Sequence, residues 1–408
     1  MDPLTASRCA RLAALLAVLS AAGCAAPGTP SPDAMPAPGA PAAAAVAQSQ
    51  QGAFVTLLGS DTVSVERFTR SGDRIEGQQV VRTPRTSIRD YSATLGADGA
   101  ISRFEMSVLP APGAQPSLRT MIDFGRDTAT VRIVRGDSTQ TLRVPAGAGA
   151  LPFLSYNVAL YELSVARLRA SGRDSIELAH VPIGATETFP LAVRRLGADS
   201  VLIYNIAGAN RTRVDAAGRV LGLDGRQSTL KLVAERVATV DLEALAASYA
   251  ARDQQGRSLG VLSPRDTVRA TVGAANLLVD YSRPARRGRT IFGEVVPWNQ
   301  VWRTGANQAT HFRTDREIEM GGTRIPAGTY TLFSLPSPTG WQLIVNRQTG
   351  QGGTEYDQRQ DLARIDMQRE TLPERVEQFT IAIEPQGQGG VLRMMWDDTR
   401  ASVPFTVR

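Results

Sequence analysis

His180 and His311 are the only imidazoles in this 408-residue chain, and acid–base chemistry near neutral pH would fall to them first. Neither has a partner at the spacing that marks a triad or a zinc site. His180 alternates with Ile176 and Leu178, so it reads as a core or rim histidine bonded to backbone. His311 follows Ala309-Thr310 on an expected strand, and Asp357 is the carboxylate that would complete a hydrolytic pair with it. The sequence contains no G-x-S-x-G elbow, no H-E-x-x-H pair and no phosphate-cradling glycine loop. Asp397-Asp398, and Glu355 with Asp357, lack calcium-loop spacing, and calcium needs about six to eight oxygens. No catalytic residue, metal site or cofactor is therefore assigned.

Binding chemistry has a better candidate in Tyr281, Arg283, Trp302, Arg303 and Asn307. Aromatic faces stack on sugars or cap apolar ligands, while Arg and Asn direct hydrogen bonds to polar groups. The small residues Thr304-Gly305-Ala306 would let backbone come close to a ligand. The alternative is structural: Trp302 plugs one end of a sandwich, Arg303 pairs with Asp280 or Glu294, and Asn307 shapes a turn. Arg286, Arg287 and Arg289 read as a solvated loop, with an anion patch as the sharper alternative.

The elements that must position these residues are strands. At 42% hydrophobic and 21% charged the chain has ordinary globular composition, and its length suits two folded units at about 100–200 residues each. Residues 52–253 make the first unit, and from Phe54 to about Val240 the pattern has period two: Phe104, Met106 and Val108 point one way, and Arg103, Glu105 and Ser107 the other. Gly136-Asp137, Ala97-Asp98-Gly99 and Ala216-Ala217-Gly218 are turn signals. One helix interrupts, expected from Ser155 as N-cap to Arg169, with Gly172 placed to end it. The expected fold there is a curved antiparallel meander over that helix, and an open barrel for an apolar ligand would show a dry cavity between the two. A second helix, Leu242–Ala251, leads to a polar boundary at 252–260.

Residues 262–408 carry short candidate strands: Thr267–Val272, Leu277–Tyr281, Thr310–Thr314, Thr329–Leu335, Trp341–Asn346, Ala363–Met367, Gln378–Ile383, Val391–Trp396 and Ser402–Val407. Pro326-Ala327-Gly328, Pro338-Thr339-Gly340 and Gly387-Gln388-Gly389 are turns between them. This pattern predicts a mainly β protein whose C-terminal part is an antiparallel β-sandwich, with a short helical turn at Val295–Val301.

In the same region Val279-Asp280-Tyr281-Ser282-Arg283-Pro284, Gly288-Arg289-Thr290-Ile291-Phe292-Gly293 and Val301-Trp302-Arg303-Thr304-Gly305-Ala306-Asn307 occur in order. Pro326-Ala327-Gly328-Thr329-Tyr330-Thr331-Leu332-Phe333 and Tyr356-Asp357 follow. From Ser263 onward this resembles the bacterial domain of unknown function 2911 family, although Gly352 stands where relatives often have tryptophan. The resemblance implies a β-rich exported module with no established reaction.

The amino end gives an address. Arg8 and Arg11 precede an apolar run, Leu12–Ala22, too short for a bilayer span of about 20 residues. Ala21-Ala22-Gly23-Cys24 resembles the end of a bacterial lipoprotein signal, with Ala21 where leucine is usual; plain secretory cleavage is the other reading. Residues 1–24 are then a signal ending in the lipidation cysteine, and 25–51, rich in Ala, Pro and Gly, a disordered tether. Removing Cys9 and acylating Cys24 leaves no thiol chemistry. The net charge of +6 is carried by arginines scattered among acids, with Lys231 the single lysine, so no nucleic-acid partner is expected. The expectation is a lipoprotein of the cell envelope, held by its lipid at the outer membrane facing the periplasm, since Ala25 is not the retention signal Asp. It would act as a non-catalytic binding or structural module whose partners are the membrane and an envelope glycan or apolar small molecule. The alternative is a metal-independent hydrolase of envelope glycans or peptides.

Overall fold

A computed structural model describes residues 49–408. The leader, Cys24 and the tether up to residue 48 lie outside the described residues. Eight strands come first: β1 (Gln50–Leu58), β2 (Asp61–Ser71), β3 (Arg74–Val81), β4 (Ser87–Leu95), β5 (Ile101–Leu109), β6 (Leu118–Phe124), β7 (Thr128–Arg135) and β8 (Ser138–Pro145). After β9 (Leu151–Pro152) and helix α1 (Tyr161–Ser171) come β10 (Ser175–Val181), β11 (Phe189–Arg195), β12 (Ser200–Asn205), β13 (Gly208–Val214), β14 (Val220–Asp224) and β15 (Val233–Val237). These fifteen strands form one sheet in the order β8 to β1, then β15 back to β9. Every pairing is antiparallel except β9 with β10. β1 starts at Gln50, paired with Arg70, so the last two residues of the expected tether are strand.

The alternation seen in the sequence is the burial pattern of the sheet: Phe104 and Met106 are buried on β5 while Arg103 and Glu105 are exposed. Gly136 turns with φ 53° at the β7–β8 hairpin, and Gly99 and Gly218 take positive φ at two other turns. Helix α1 begins six residues later than the expected Ser155. Residues 155–160 are instead an irregular loop in which the Val158 and Ala159 amides donate to Glu66, and Gly172 ends the helix in the left-handed conformation. Leu163, Val165 and Leu168 fill the concave face among Phe54, Phe104, Ile122 and Val131. The interface beneath Leu163, Val165 and Leu168 is filled, whereas residues 153–158 and Tyr161, at the expected start of the helix, border a hollow against the sheet.

Helix α2 (Leu242–Gln254), capped by Asp241 accepting from the Ala244 amide at 2.9 Å, packs Leu242, Ala246 and Tyr249 on Val80 and Ile88. The second sheet has nine strands: β16 (Arg265–Val272), β17 (Ala275–Ser282), β18 (Thr310–Thr314), β19 (Ile318–Met320), β20 (Thr323–Ile325), β21 (Gly328–Pro336), β22 (Trp341–Asn346), β23 (Asp361–Gln386) and β24 (Gly389–Val407). Four of the expected strands are halves of two long ones: Ala363–Met367 and Gln378–Ile383 both belong to β23, and Val391–Trp396 and Ser402–Val407 both belong to β24. Register breaks near Val376 bend this pair, and β16 lies against β23 across a core holding Tyr281, Phe379 and Trp396. Residues 295–301 form turns and not the expected helical turn.

Short clips hold the two sheets together. The Ser60 amide donates to the Arg287 carbonyl at 2.9 Å, and Arg287 pairs with Asp61 at 2.5 Å. Thr83 Oγ1 donates to the Gly260 carbonyl at 2.9 Å.

Candidate functional site

The loop from Arg283 to Ala309, between β17 and β18, is braced on both sides. Trp302 exchanges backbone bonds with Ser334 of β21 at 2.7 and 2.9 Å. Its ring stacks on Trp396 at 5.8 Å between centroids and meets the edge of Phe379 at 5.0 Å. Beyond it Thr304 and Asn307 take φ 51° and 59°, a left-handed conformation that non-glycine residues adopt at a cost of about 1–3 kcal/mol and that clusters at functional sites. A Cβ on Gly305 would lie 3.0 Å from the Ser282 carbonyl, and one on Gly353 would lie 2.7 Å from Arg303 Cδ. The loop is therefore pressed onto β17 while Arg303 crosses Gly353.

Trp302, Arg303 and Asn307 face the other sheet across a cleft. Its first arm, about 500 Å³, is closed on the far side by Tyr156, Thr229, Leu230 and Lys231 and floored by Phe333, Tyr356 and Trp396. A second arm, about 540 Å³, shares Tyr156, Leu230, Arg303 and Asn307 with the first. It runs between the β-sheet residues Leu223 and Ala234 and the loop Phe153–Val158. Both volumes fall within the roughly 300–1,000 Å³ of small-ligand sites. Tyr156 and Lys231, at φ 65° and 59°, are also left-handed.

The first arm is cationic. Lys231, Arg289 and Arg303 line it, and no acid is among the described residues lining either arm. Burial alone pulls Arg303 below its usual value. Burial first, then the charges of Arg289 and Arg303, pull Lys231 down. Arg289 is pushed down to about 10 by burial and then by Arg287, against Glu377 and Asp61, and its guanidinium donates to the Arg286 and Ala285 carbonyls at 2.9 and 2.5 Å.

Comparison with known proteins finds a family match for the carboxyl-terminal part of the chain. Residues 263–405 match the family described as protein of unknown function (DUF2911). The DUF2911 segment, about a third of the chain, supplies Trp302, Arg303, Asn307 and Arg289. No curated protein matches the chain. Among solved structures, a DUF1089 family protein from Pseudomonas aeruginosa is 22% identical, covering 40% of this chain and 91% of its own with TM-score 0.31. A beta-barrel-like protein of domain of unknown function DUF1849 from Brucella abortus is 9% identical, covering 46% and 94% with TM-score 0.32.

Of the five residues singled out in the sequence, the structure brings Trp302, Arg303 and Asn307 together at the cleft and leaves two outside it. Tyr281 is fully buried in the DUF2911 core, its hydroxyl accepting the Ile381 amide at 3.0 Å. Arg283 ties strands, donating to the Phe379 carbonyl, Asp266 and Thr380 at 3.2, 3.1 and 2.8 Å. Asp280 is paired with Arg265 and not with Arg303. Sequence reasoning missed the opposite wall. Its one available signal was Lys231, a lone lysine in a chain that otherwise uses arginine.

The histidines stand apart from the cleft's cations. His311 accepts the Gly350 amide on Nε2 at 3.2 Å and is kept below its usual pKa by burial and Arg265, against Asp280. Asp357 instead holds Arg359 at 2.9 Å and caps a short 3-10 turn. The acid–base pair His311–Asp357 is not assembled. His180 is buried with Nδ1 unpartnered, not bonded to backbone as expected, and its ring meets Phe153 edge-on at 5.5 Å.

Proposed function

We propose that this protein is an exported, membrane-anchored lipoprotein of the cell envelope that binds a small ligand without transforming it, in the cleft between its two sheets. One observation carries the reading: Trp302, Arg303 and Asn307 meet Lys231, Tyr156 and Leu230 around an open, acid-free hollow. The short clips at Ser60–Arg287 and Thr83–Gly260 favour a site formed before the ligand arrives. Export and anchoring rest on the Arg8–Cys24 signal. Two observations disfavour the competing hydrolase: His311 uses its Nε2 lone pair on a backbone amide, and Asp357 is bound to Arg359 and not to His311.

The chain from Ala25, which contains every described residue, tests the binding role by thermal shift against envelope glycans, lipids and metal ions. A ligand at a hundred times its dissociation constant stabilises by about 2.7 kcal/mol, and Trp302→Ala should lose that shift. A panel without any shift, or a shift that Trp302→Ala and Arg303→Ala both leave intact, overturns the proposal.

A further inference from the structure

We infer that the ligand of this cleft is an anionic amphiphile: one molecule with a carboxylate or phosphate head in the arm at Lys231, Arg289 and Arg303, and an apolar tail in the arm at Phe153–Val158. The inference rests on the reading of the cleft as a ligand site and adds the chemistry of the occupant.

The head end follows from charge. Two of the most buried arginines are neutralised in ion pairs, Arg236 with Glu162 and Arg287 with Asp61. None of the ion pairs among the described residues includes Lys231, Arg289 or Arg303. Arg289 and Arg303 repel Lys231, and the three partly buried cations line a hollow with no acid in its wall, Glu377 and Asp61 reaching Arg289 only from outside it. An anion would relieve that arrangement through charge-assisted bonds of the stronger kind. Lys231 is held there in a left-handed backbone conformation, so its place in the wall is maintained against local preference.

The tail end follows from burial. Phe153, Leu154, Val158, Leu223 and Leu232 line the second arm. The described structure has six exposed large hydrophobic residues, and four of them, Ile206, Leu230, Val261 and Val301, line the two arms. Apolar side chains gathered at one mouth mark an interaction site more strongly than scattered ones. A neutral sugar would leave the cations unanswered, and a bare anion would leave the apolar arm empty. Because Leu230, Tyr156, Arg303 and Asn307 belong to both arms, one molecule can occupy both.

Isothermal titration of the chain from Ala25, below micellar concentrations, compares dodecanoate, dodecyl phosphate, dodecyl maltoside and inorganic phosphate. Both anionic dodecyl probes should bind at least about tenfold tighter than the maltoside, given that one charged hydrogen bond is worth about that factor. Inorganic phosphate should bind weakest, and the tighter of the two anionic probes identifies the head. Arg303→Met with Lys231→Met should erase the preference for anionic heads while the melting temperature holds. Equal affinity for neutral and anionic heads, lost in Trp302→Ala, would overturn the amphiphile's charge and leave the site standing. Phosphate binding as tightly as dodecyl phosphate would overturn the tail. No binding by any of the four, together with no shift from the glycans and metals, would overturn the site itself.

Discussion

The Glu66 carboxylate on β2 accepts the side-chain amide of Asn157 at 2.6 Å, across 91 residues of sequence. It also accepts the Val158 and Ala159 amides at 2.7 and 2.9 Å, and so pins the loop that walls the apolar arm. Burial pushes Glu66 up to about 7, against those amides and Arg236 and with the help of Glu162. A carboxyl whose pKa is raised by folding stabilises most when protonated, so its contribution is full below about 4.5 and fades as pH rises towards 7. His180 has the opposite sign. Burial depresses it to about 4 from 6.5, so its contribution is present above 6.5 and lost as pH falls towards 4. Each is worth on the order of 3 kcal/mol, and the two nearly cancel between pH 4.5 and 6.5. Urea melts at stepped pH should show stability rising with pH over that window in Glu66→Gln and falling in His180→Phe. Parallel slopes in the two variants would refute the assignment.

Helix α1 depends on a buried ion pair. Glu162 meets Arg236 of β15, whose Nε also donates to the Val220 carbonyl at 2.7 Å, and the guanidinium lies 4.9 Å from the centre of the Phe54 ring. Arg236→Met strands the Glu162 carboxylate and should cost about 3–5 kcal/mol. Adding Glu162→Met should recover part of that, though not all, because the Val220 amide loses its acceptor at 3.0 Å. Denaturant midpoints of the single and double variants measure both effects.

Gly59 lies beside the contact between the sheets at Ser60 and Arg287. Its φ is 61° and an added Cβ would fall 2.1 Å from the Arg287 carbonyl oxygen. Gly59→Ala should therefore destabilise by about 2–4 kcal/mol through strain and clash together. Gly113→Ala is the control, since φ is 73° and nothing lies within 4 Å. Faster hydrogen exchange at the Ser60 amide, in the Gly59 variant alone, would register loss of the bond to Arg287.

Lys231→Asn separates stability from binding. Asparagine tolerates the left-handed conformation of this residue, φ 59°, better than lysine does, and the change removes a charge that Arg289 and Arg303 repel. The variant should melt higher, by the equivalent of up to about 1 kcal/mol, and bind anionic probes more weakly. A lower melting point with unchanged binding would show that Lys231 serves the fold.

Cys24→Ser tests the anchor. If Cys24 carries the lipid, the unaltered chain should enter the detergent phase on phase separation and incorporate radiolabelled fatty acid. The variant should do neither.

Much of the fold was legible because alternation is local. Phe104 and Met106 against Arg103 and Glu105 is enough to draw β5, and a turn glycine such as Gly136 is enough to fold β7 onto β8. Pairing at long range leaves no such trace: nothing in β1 names β15 as its neighbour. The helix was expected too early because residues 155–160 look helical, yet the amides of Val158 and Ala159 are claimed by Glu66 from a distant strand. At the cleft, Trp302, Arg303 and Asn307 stood out as aromatic, cationic and amide groups in one glycine-containing loop. Tyr156 and Leu230 did not, because their meaning arises only when a different sheet brings them opposite.

β1 is the middle strand of fifteen, with seven on either side. Ladder bonds run perpendicular to the strands, so a force applied at Gln50 along β1 loads the ladders to β2 and β15 together, in shear. An edge strand would unzip one bond at a time; this one must give way along its whole length. Whatever tugs on the amino end of the folded body therefore meets the sheet where it is mechanically strongest.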